Sequence, residues 1–128
     1  MATQPTPRIL VVDDEKVVRE ITGAFLALNG YEVSTAADGR EAFDILRSSH
    51  YDVVITDLQM PLMGGMELLE KISQLKTKMV TIVLTGRAGT LADCSPRPYA
   101  RLCKPFSHNQ LIEVVQEGLK SRLAQANS

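Results

Sequence analysis

The sequence predicts a doubly wound α/β domain, a parallel sheet with helices on both faces, and three observations carry that prediction. Apolar runs such as Ile9-Leu10-Val11-Val12 are continuous rather than alternating, the pattern of strands buried on both faces. Between the runs lie segments whose apolar residues recur at three- and four-residue steps, the period of an amphipathic helix. Finally, the runs end on residues able to do chemistry: Asp13-Asp14, Asp57, Thr85 and Lys104-Pro105. Open α/β sheets place their sites at the carboxyl ends of the strands.

In chain order, residues 9–12 form the first strand and Asp13-Asp14 close it. A helix follows from Glu15, with Val18, Ile21, Phe25 and Leu28 as its inward stripe, and Asn29-Gly30 stops it. Residues 31–35 alternate apolar and polar, which suits a less buried edge strand. Asp38 and Glu41 make a capping-box entry to a second helix carried by Ala42, Ile45 and Leu46. The third strand spans 52–56. Gly64-Gly65 precede a third helix with Met66, Leu69, Ile72 and Leu75 facing inward, and residues 79–84 form the fourth strand. Arg101-Leu102-Cys103 is a short fifth strand. Ser107 and Gln110 form a second capping box, opening a last helix with Leu111, Ile112, Val115, Leu119 and Leu123 on one side. Strand and helix alternate throughout, so right-handed crossovers place helices on both faces.

At 128 residues the length predicts one domain, 1–128, with a core of about 8–123 and polar tails at 1–7 and 124–128. The tail at 124–128 reads as frayed. Fourteen basic residues against fifteen acidic leave a net charge of -1, which gives no basic field for direct nucleic-acid contact. No apolar run approaches the roughly 20 residues of a membrane span. Residues 1–7 are short, polar and hold two prolines, unlike a signal peptide. Cys94 and Cys103 are too few for a disulfide framework; Cys103 reads as a small core residue and both as reduced thiols. A cytoplasmic location is expected.

The strand ends together suggest phosphoryl transfer onto Asp57. A carboxylate can attack an activated phosphoryl donor and form an acyl phosphate. Such transfer is promoted chiefly by positioning and by stabilising charge on the phosphoryl oxygens. Three clustered carboxylates repel an anionic donor and one another, and a divalent cation resolves that conflict. Oxygen donors suit Mg²⁺ or Mn²⁺. Each residue also has a plainer reading. Asp13-Asp14 can cap the first helix, Thr85 can be a strand-end hydroxyl, and Lys104 a solvated charge. Four such coincidences in order weigh against the plain readings taken jointly. His50 and His108 have no ligand-like neighbours and receive no role, and Met60, Met63 and Met66 read as packing and loop anchors.

The motifs Val11-Val12-Asp13-Asp14, Asp57-x-x-Met60-Pro61-x-Met63-x-Gly65, Thr85-Gly86 and Lys104-Pro105-Phe106 resemble those of response-regulator receiver domains. The resemblance implies a flavodoxin-like strand order 2-1-3-4-5 and phosphorylation-controlled signalling. It implies that Asp57 is the phosphoacceptor, that Asp14 and Asp57 bind Mg²⁺ (or Mn²⁺) directly, that Asp13 acts through water, and that the Gln59 carbonyl is a further ligand. Thr85 and Lys104 would contact phosphoryl oxygens, and Gly86 would leave room for the group to enter. The implied partners are a histidine kinase or histidine phosphotransfer protein upstream, and an output partner or C-terminal effector domain downstream. A phosphorylation-dependent dimer is one assembly that the resemblance admits. Such a domain is no enzyme in the usual sense, because it catalyses only its own phosphorylation and dephosphorylation. Two other classes compete: a constitutive interaction module, and a small aspartyl-phosphate phosphatase, which would show Asp-x-Asp on the nucleophile strand.

Two features depart from the receiver pattern. Between Thr85 and Lys104 the segment is shorter than usual, and Pro96 and Pro98 bias Ser95 and Arg97 away from helical angles. A shortened or irregular fourth helix is therefore expected there. Arg101 also occupies the position of a customary aromatic; burying its unpaired guanidinium would be costly, so it should face outward. The expected consequence is a segment at 86–98 that opens easily and orders on phosphorylation. Hydrogen exchange with and without a phosphoryl mimic checks this; strong protection of a helix there in the free protein would contradict it.

Overall fold

The structure is a computed structural model that describes residues 6–58, 63–75, 78–85, 98–103 and 106–126. Its elements are β1 (Arg8–Val12), α1 (Lys16–Leu28), β2 (Glu32–Ala36), α2 (Gly39–Ser48), β3 (Val53–Asp57), α3 (Gly65–Ser73), β4 (Val80–Thr85), β5 (Ala100–Cys103) and α4 (His108–Ala126). The five strands form one parallel sheet in the order β2-β1-β3-β4-β5. The strand order is the expected one. The expected irregular helix between the fourth and fifth strands falls at residues 86–97, outside the described residues.

Alternation along each strand divides the core into two layers. Ile9, Val11, Val53, Ile55, Ile82 and Leu84 face one side, where they meet Leu26 of α1 and Leu111, Ile112 and Val115 of α4. Leu10, Val12 and Val54 face the other, against Ala42 and Leu46 of α2 and Leu68 and Ile72 of α3. Because both faces are covered, β1, β3 and β4 are buried along nearly their whole length, with Thr56 and Thr81 as buried polar residues among apolar ones.

Helix boundaries follow local chemistry. Asn29 closes α1, and Gly30 takes φ 94°, a left-handed turn that favours glycine. Asp38 Oδ1 accepts from the Glu41 amide at 2.8 Å, and Glu41 reaches back towards the Ala37 amide at 3.5 Å. At α4 the capping box is complete: Ser107 Oγ accepts from the Gln110 amide at 3.1 Å, and Gln110 Oε1 accepts from the Ser107 amide at 2.8 Å.

Several expectations are corrected. The buried face of α1 is Thr22, Gly23 and Leu26, whereas Ile21 and Leu28 are 51% and 85% exposed. In α3 the inward residues are Leu68, Leu69 and Ile72, and Met66 is exposed. Cys103 is exposed rather than core. β5 lies at the sheet edge and alternates, so Leu102 turns inward while Arg101 and Cys103 turn out. The helix α4 continues to Ala126 through the tail read as frayed.

The amino end of the sheet is tied by Asp52, just before β3. Its carboxylate accepts from the Arg8 amide at 2.8 Å, pairs with Arg122 of α4 at 2.7 Å and lies 3.3 Å from His50 Nε2. Burial alone would raise the carboxyl's pKa, but the Arg8 amide, the Arg122 guanidinium and His50 outweigh it and hold it below its ordinary value. The pair therefore stabilises the fold above the ordinary carboxylate pKa of about 4, and that contribution is lost as pH falls through the lower folded value. Asp52→Ala is expected to cost about 2 kcal/mol near neutral pH, the range of hydrogen bonds to a charged group. Urea unfolding at neutral pH and at about pH 3 checks it: the variant's deficit should shrink in acid.

Candidate functional site

The site lies at the carboxyl ends of β1, β3 and β4, and parallel register brings them level. Val12 pairs with Thr56, so Asp13 and Asp57 each stand one residue beyond a matched pair. Asp57 in turn pairs with Leu84, and Thr85 is the next residue of β4. The junction between β1 and β3 is the switch point of a 2-1-3-4-5 sheet, where strand order reverses and a crevice opens.

Each residue is held by its own neighbourhood. Asp13 is 1% exposed, and its amide donates to the Ala36 carbonyl at 3.2 Å. Its Oδ1 accepts from the Glu15 amide at 2.9 Å, a turn contact just ahead of α1, whose N-cap residue is Glu15. Arg19 Nη1 donates to the Asp13 carbonyl at 2.7 Å, a contact that no sequence pattern announced. Asp14 is exposed and Asp57 half-buried. Thr56 Oγ1 donates to the Asp57 carbonyl at 3.0 Å, and the Leu58 amide donates to the Leu84 carbonyl at 3.0 Å. Thr85 is buried at the end of β4, paired in register with Cys103.

Asp13, Asp14 and Asp57 each offer one carboxylate oxygen, and these oxygens lie within 4.8 Å of one another. No His or Cys joins the group among the described residues. An all-oxygen, fully anionic donor set fits a hard divalent cation such as Mg²⁺ or Mn²⁺ and does not suit softer metals. The structure thus brings together three of the predicted metal residues and sets Thr85 on the neighbouring strand end. Gln59, Gly86 and Lys104 lie outside the described residues. The plainer reading of Asp13-Asp14 as the cap of the first helix is not met, since Glu15 is the N-cap residue and no side chain caps α1.

A parallel 2-1-3-4-5 sheet with an acidic crevice at its switch point defines a doubly wound domain of the flavodoxin-like strand order, and no Gly-x-Gly-x-x-Gly turn follows β1. The chain belongs to the response regulator receiver domain family, whose model matches residues 9–116. It is 40% identical over 108 residues to the response regulator MprA of Mycolicibacterium vanbaalenii, a match covering 82% of this chain and 47% of that protein. The chain thus spans about half the length of the curated relatives it matches. Among solved structures, the response regulator TrrA of Thermotoga maritima, in complex with Mg(2+)-BeF, is 36% identical with a TM-score of 0.83, covering 89% of this chain and all of that one. A CheY-like receiver domain protein from Methanospirillum hungatei is 29% identical with a TM-score of 0.87, covering 94% and 99%. The chain is a receiver domain of the phosphorylation-controlled signalling class.

The two acid-pair residues should respond differently to truncation. Asp14→Ala is expected to weaken Mg²⁺ binding more than Asp13→Ala, because a water-mediated ligand is partly replaced by solvent. Asp13→Ala should also destabilise the metal-free protein by about 1 kcal/mol through the lost hydrogen bond from the Glu15 amide. Calorimetric Mg²⁺ titration and metal-free unfolding of both variants check this pair of outcomes.

Proposed function

We propose that this receiver accepts a phosphoryl group on Asp57 from a histidine kinase or histidine phosphotransfer protein, and that the modified form changes its affinity for an output partner. The observation that carries the reading is the acidic cluster itself: three carboxylate oxygens within 4.8 Å at the β1–β3 switch point. A dedicated cation site is the arrangement that lets an anionic donor approach an aspartate.

In this reading an Asp57 carboxylate oxygen attacks the phosphorus of a phosphohistidine. The new P–O bond forms as the P–N bond breaks, and the imidazole nitrogen leaves with the bonding pair and regains a proton from solvent. Mg²⁺ (or Mn²⁺), held by Asp13, Asp14, Asp57 and the Gln59 carbonyl, supplies charge neutralisation on the phosphoryl oxygens. The Thr85 hydroxyl donates to one of those oxygens and the Lys104 ammonium pairs with another. Water later attacks phosphorus and restores the carboxylate, so the domain acts on no separate substrate.

The output passes to a separate partner or to a C-terminal effector domain, with a phosphorylation-dependent dimer as one vehicle. The near-neutral balance of charge supports protein partners rather than direct nucleic-acid contact. No described helix is long and apolar enough to cross a membrane, and we place the domain's action in the cytoplasm.

With Mg²⁺ and a small acyl-phosphate donor, intact mass should rise by one phosphoryl group, and Asp57→Asn should abolish the gain. Undiminished modification of the Asn variant would overturn the assignment.

A further inference from the structure

We propose that Gly39, at the first turn of α2, is a positioning residue for the acidic site. It would act by letting the backbone of Met63 seat against it and so fixing Met63 and Gly64, which stand beside Leu58 at the end of β3. The proposal rests on the metal-binding reading of the Asp13, Asp14 and Asp57 cluster.

Gly39 is buried, and a Cβ built on it would lie 2.5 Å from the Met63 carbonyl oxygen and 2.9 Å from Met63 Cβ and Cγ. The 2.5 Å neighbour is backbone, so a substituted side chain cannot be accommodated by a rotamer change alone. Met63 must move, or α2 must. Helix α2 is poorly placed to yield. Asp38 caps it through the Glu41 amide, and Ala42 and Leu46 are buried in the core. The strand feeding it is tied to the site, because the Asp13 amide donates to the Ala36 carbonyl at 3.2 Å.

The end of β3 is held as well. The Leu58 amide donates to the Leu84 carbonyl at 3.0 Å, and a Cβ on Gly64 would lie 3.4 Å from the Leu58 carbonyl oxygen. Met63 itself packs against the core layer of Leu10, Val12 and Ala42. Gly64 follows Met63 and stands against the carbonyl of Leu58, the residue after Asp57, so a shift of Met63 reaches the neighbour of Asp57 through that contact. Nothing in local propensity explains Gly39, since alanine favours a first helical turn over glycine. The close approach of Met63 does explain it.

Gly39→Ala, compared with Gly23→Ala in α1, tests the proposal. A Cβ on Gly23 would meet only Val33 and Thr35 methyl groups at 3.5 and 3.6 Å, ordinary contact distances. Gly39→Ala is expected to keep the far-ultraviolet circular dichroism of the parent and to weaken Mg²⁺ binding by roughly tenfold, as for residues that orient metal ligands. Gly23→Ala should bind Mg²⁺ as the parent does. Affinity is read by isothermal calorimetry with Mg²⁺ alone, so the result is independent of phosphorylation. Parent-like affinity in folded Gly39→Ala would overturn the proposal, as would an equal loss in Gly23→Ala. Should Gly39→Ala not fold, adding Met63→Gly removes the side-chain contacts and leaves the carbonyl contact. That double variant should then bind Mg²⁺ more weakly than Met63→Gly alone; equal affinity, or failure of both Gly39 variants to fold, would overturn positioning in favour of a folding role. A parent that binds no Mg²⁺ would instead overturn the reading of the acidic site on which the proposal rests.

Discussion

Three carboxylate oxygens within 4.8 Å of one another set the constraint to which the rest of the domain answers. Two full charges at that separation repel by about 3 kcal/mol at an effective dielectric near 20, and by less where Asp14 meets solvent. A flexible chain would relieve the repulsion by moving the groups apart. Here the parallel register of β1 and β3 forbids it, since Val12 and Thr56 are matched and both are fully buried. Asp13 is further held by Ala36 of β2 and by Glu15 and Arg19 at the start of α1, through hydrogen bonds to its backbone and its carboxylate. The sheet therefore holds the three carboxylates together at its carboxyl edge, an arrangement that a bound divalent cation would stabilise.

Much of this was legible in the chain. Continuous apolar runs ending in polar residues located the strands, because a sheet covered on both faces must be apolar at every position. Asp13, Asp14, Asp57 and Thr85 were legible for the same reason, as the polar residues on which the apolar runs end. What failed was the phase of α1. Val17, Val18, Ile21, Phe25, Leu26 and Leu28 spread around the helix, and large side chains alone do not identify its inward face. The face chosen is the one with Thr22 and Gly23, where small side chains let the helix approach Val33 and Thr35 of β2 closely. Cys103 failed on a similar ground: thiols are usually buried, but alternation on an edge strand decides orientation first.

The Asp52 cluster was illegible for a different reason. Besides the neighbouring His50, its partners Arg8 and Arg122 stand 44 and 70 residues away in sequence, and no spacing rule joins them. Its place in the fold is nonetheless instructive. It gathers the start of β1, the approach to β3 and the last turns of α4 at the amino edge of the sheet, opposite the acidic site. The carboxylate there is held by an arginine and an amide from two other elements, whereas Asp13, Asp14 and Asp57 at the carboxyl edge bring oxygens within 4.8 Å of one another. The same residue type ties elements together at one end of the sheet and gathers in a cluster at the other, according to where the topology places it.

Gly39 shows how local and tertiary preferences trade at such an edge. Read locally, the first position of a capped helix favours alanine or proline, and a glycine there weakens the helix. Asp38 and Glu41 restore part of that loss through their cap, so the sequence invests in the helix and spares the one position that another backbone must approach. A rule broken beside a functional site, with compensation on both sides of it in sequence, is a sign that tertiary contact has overridden propensity. Nothing in the motif vocabulary singles out this glycine, since its partner Met63 belongs to a loop two elements later. Only the register that aligns β1, β2 and β3 brings the two backbones together, and the same register assembles the carboxylates.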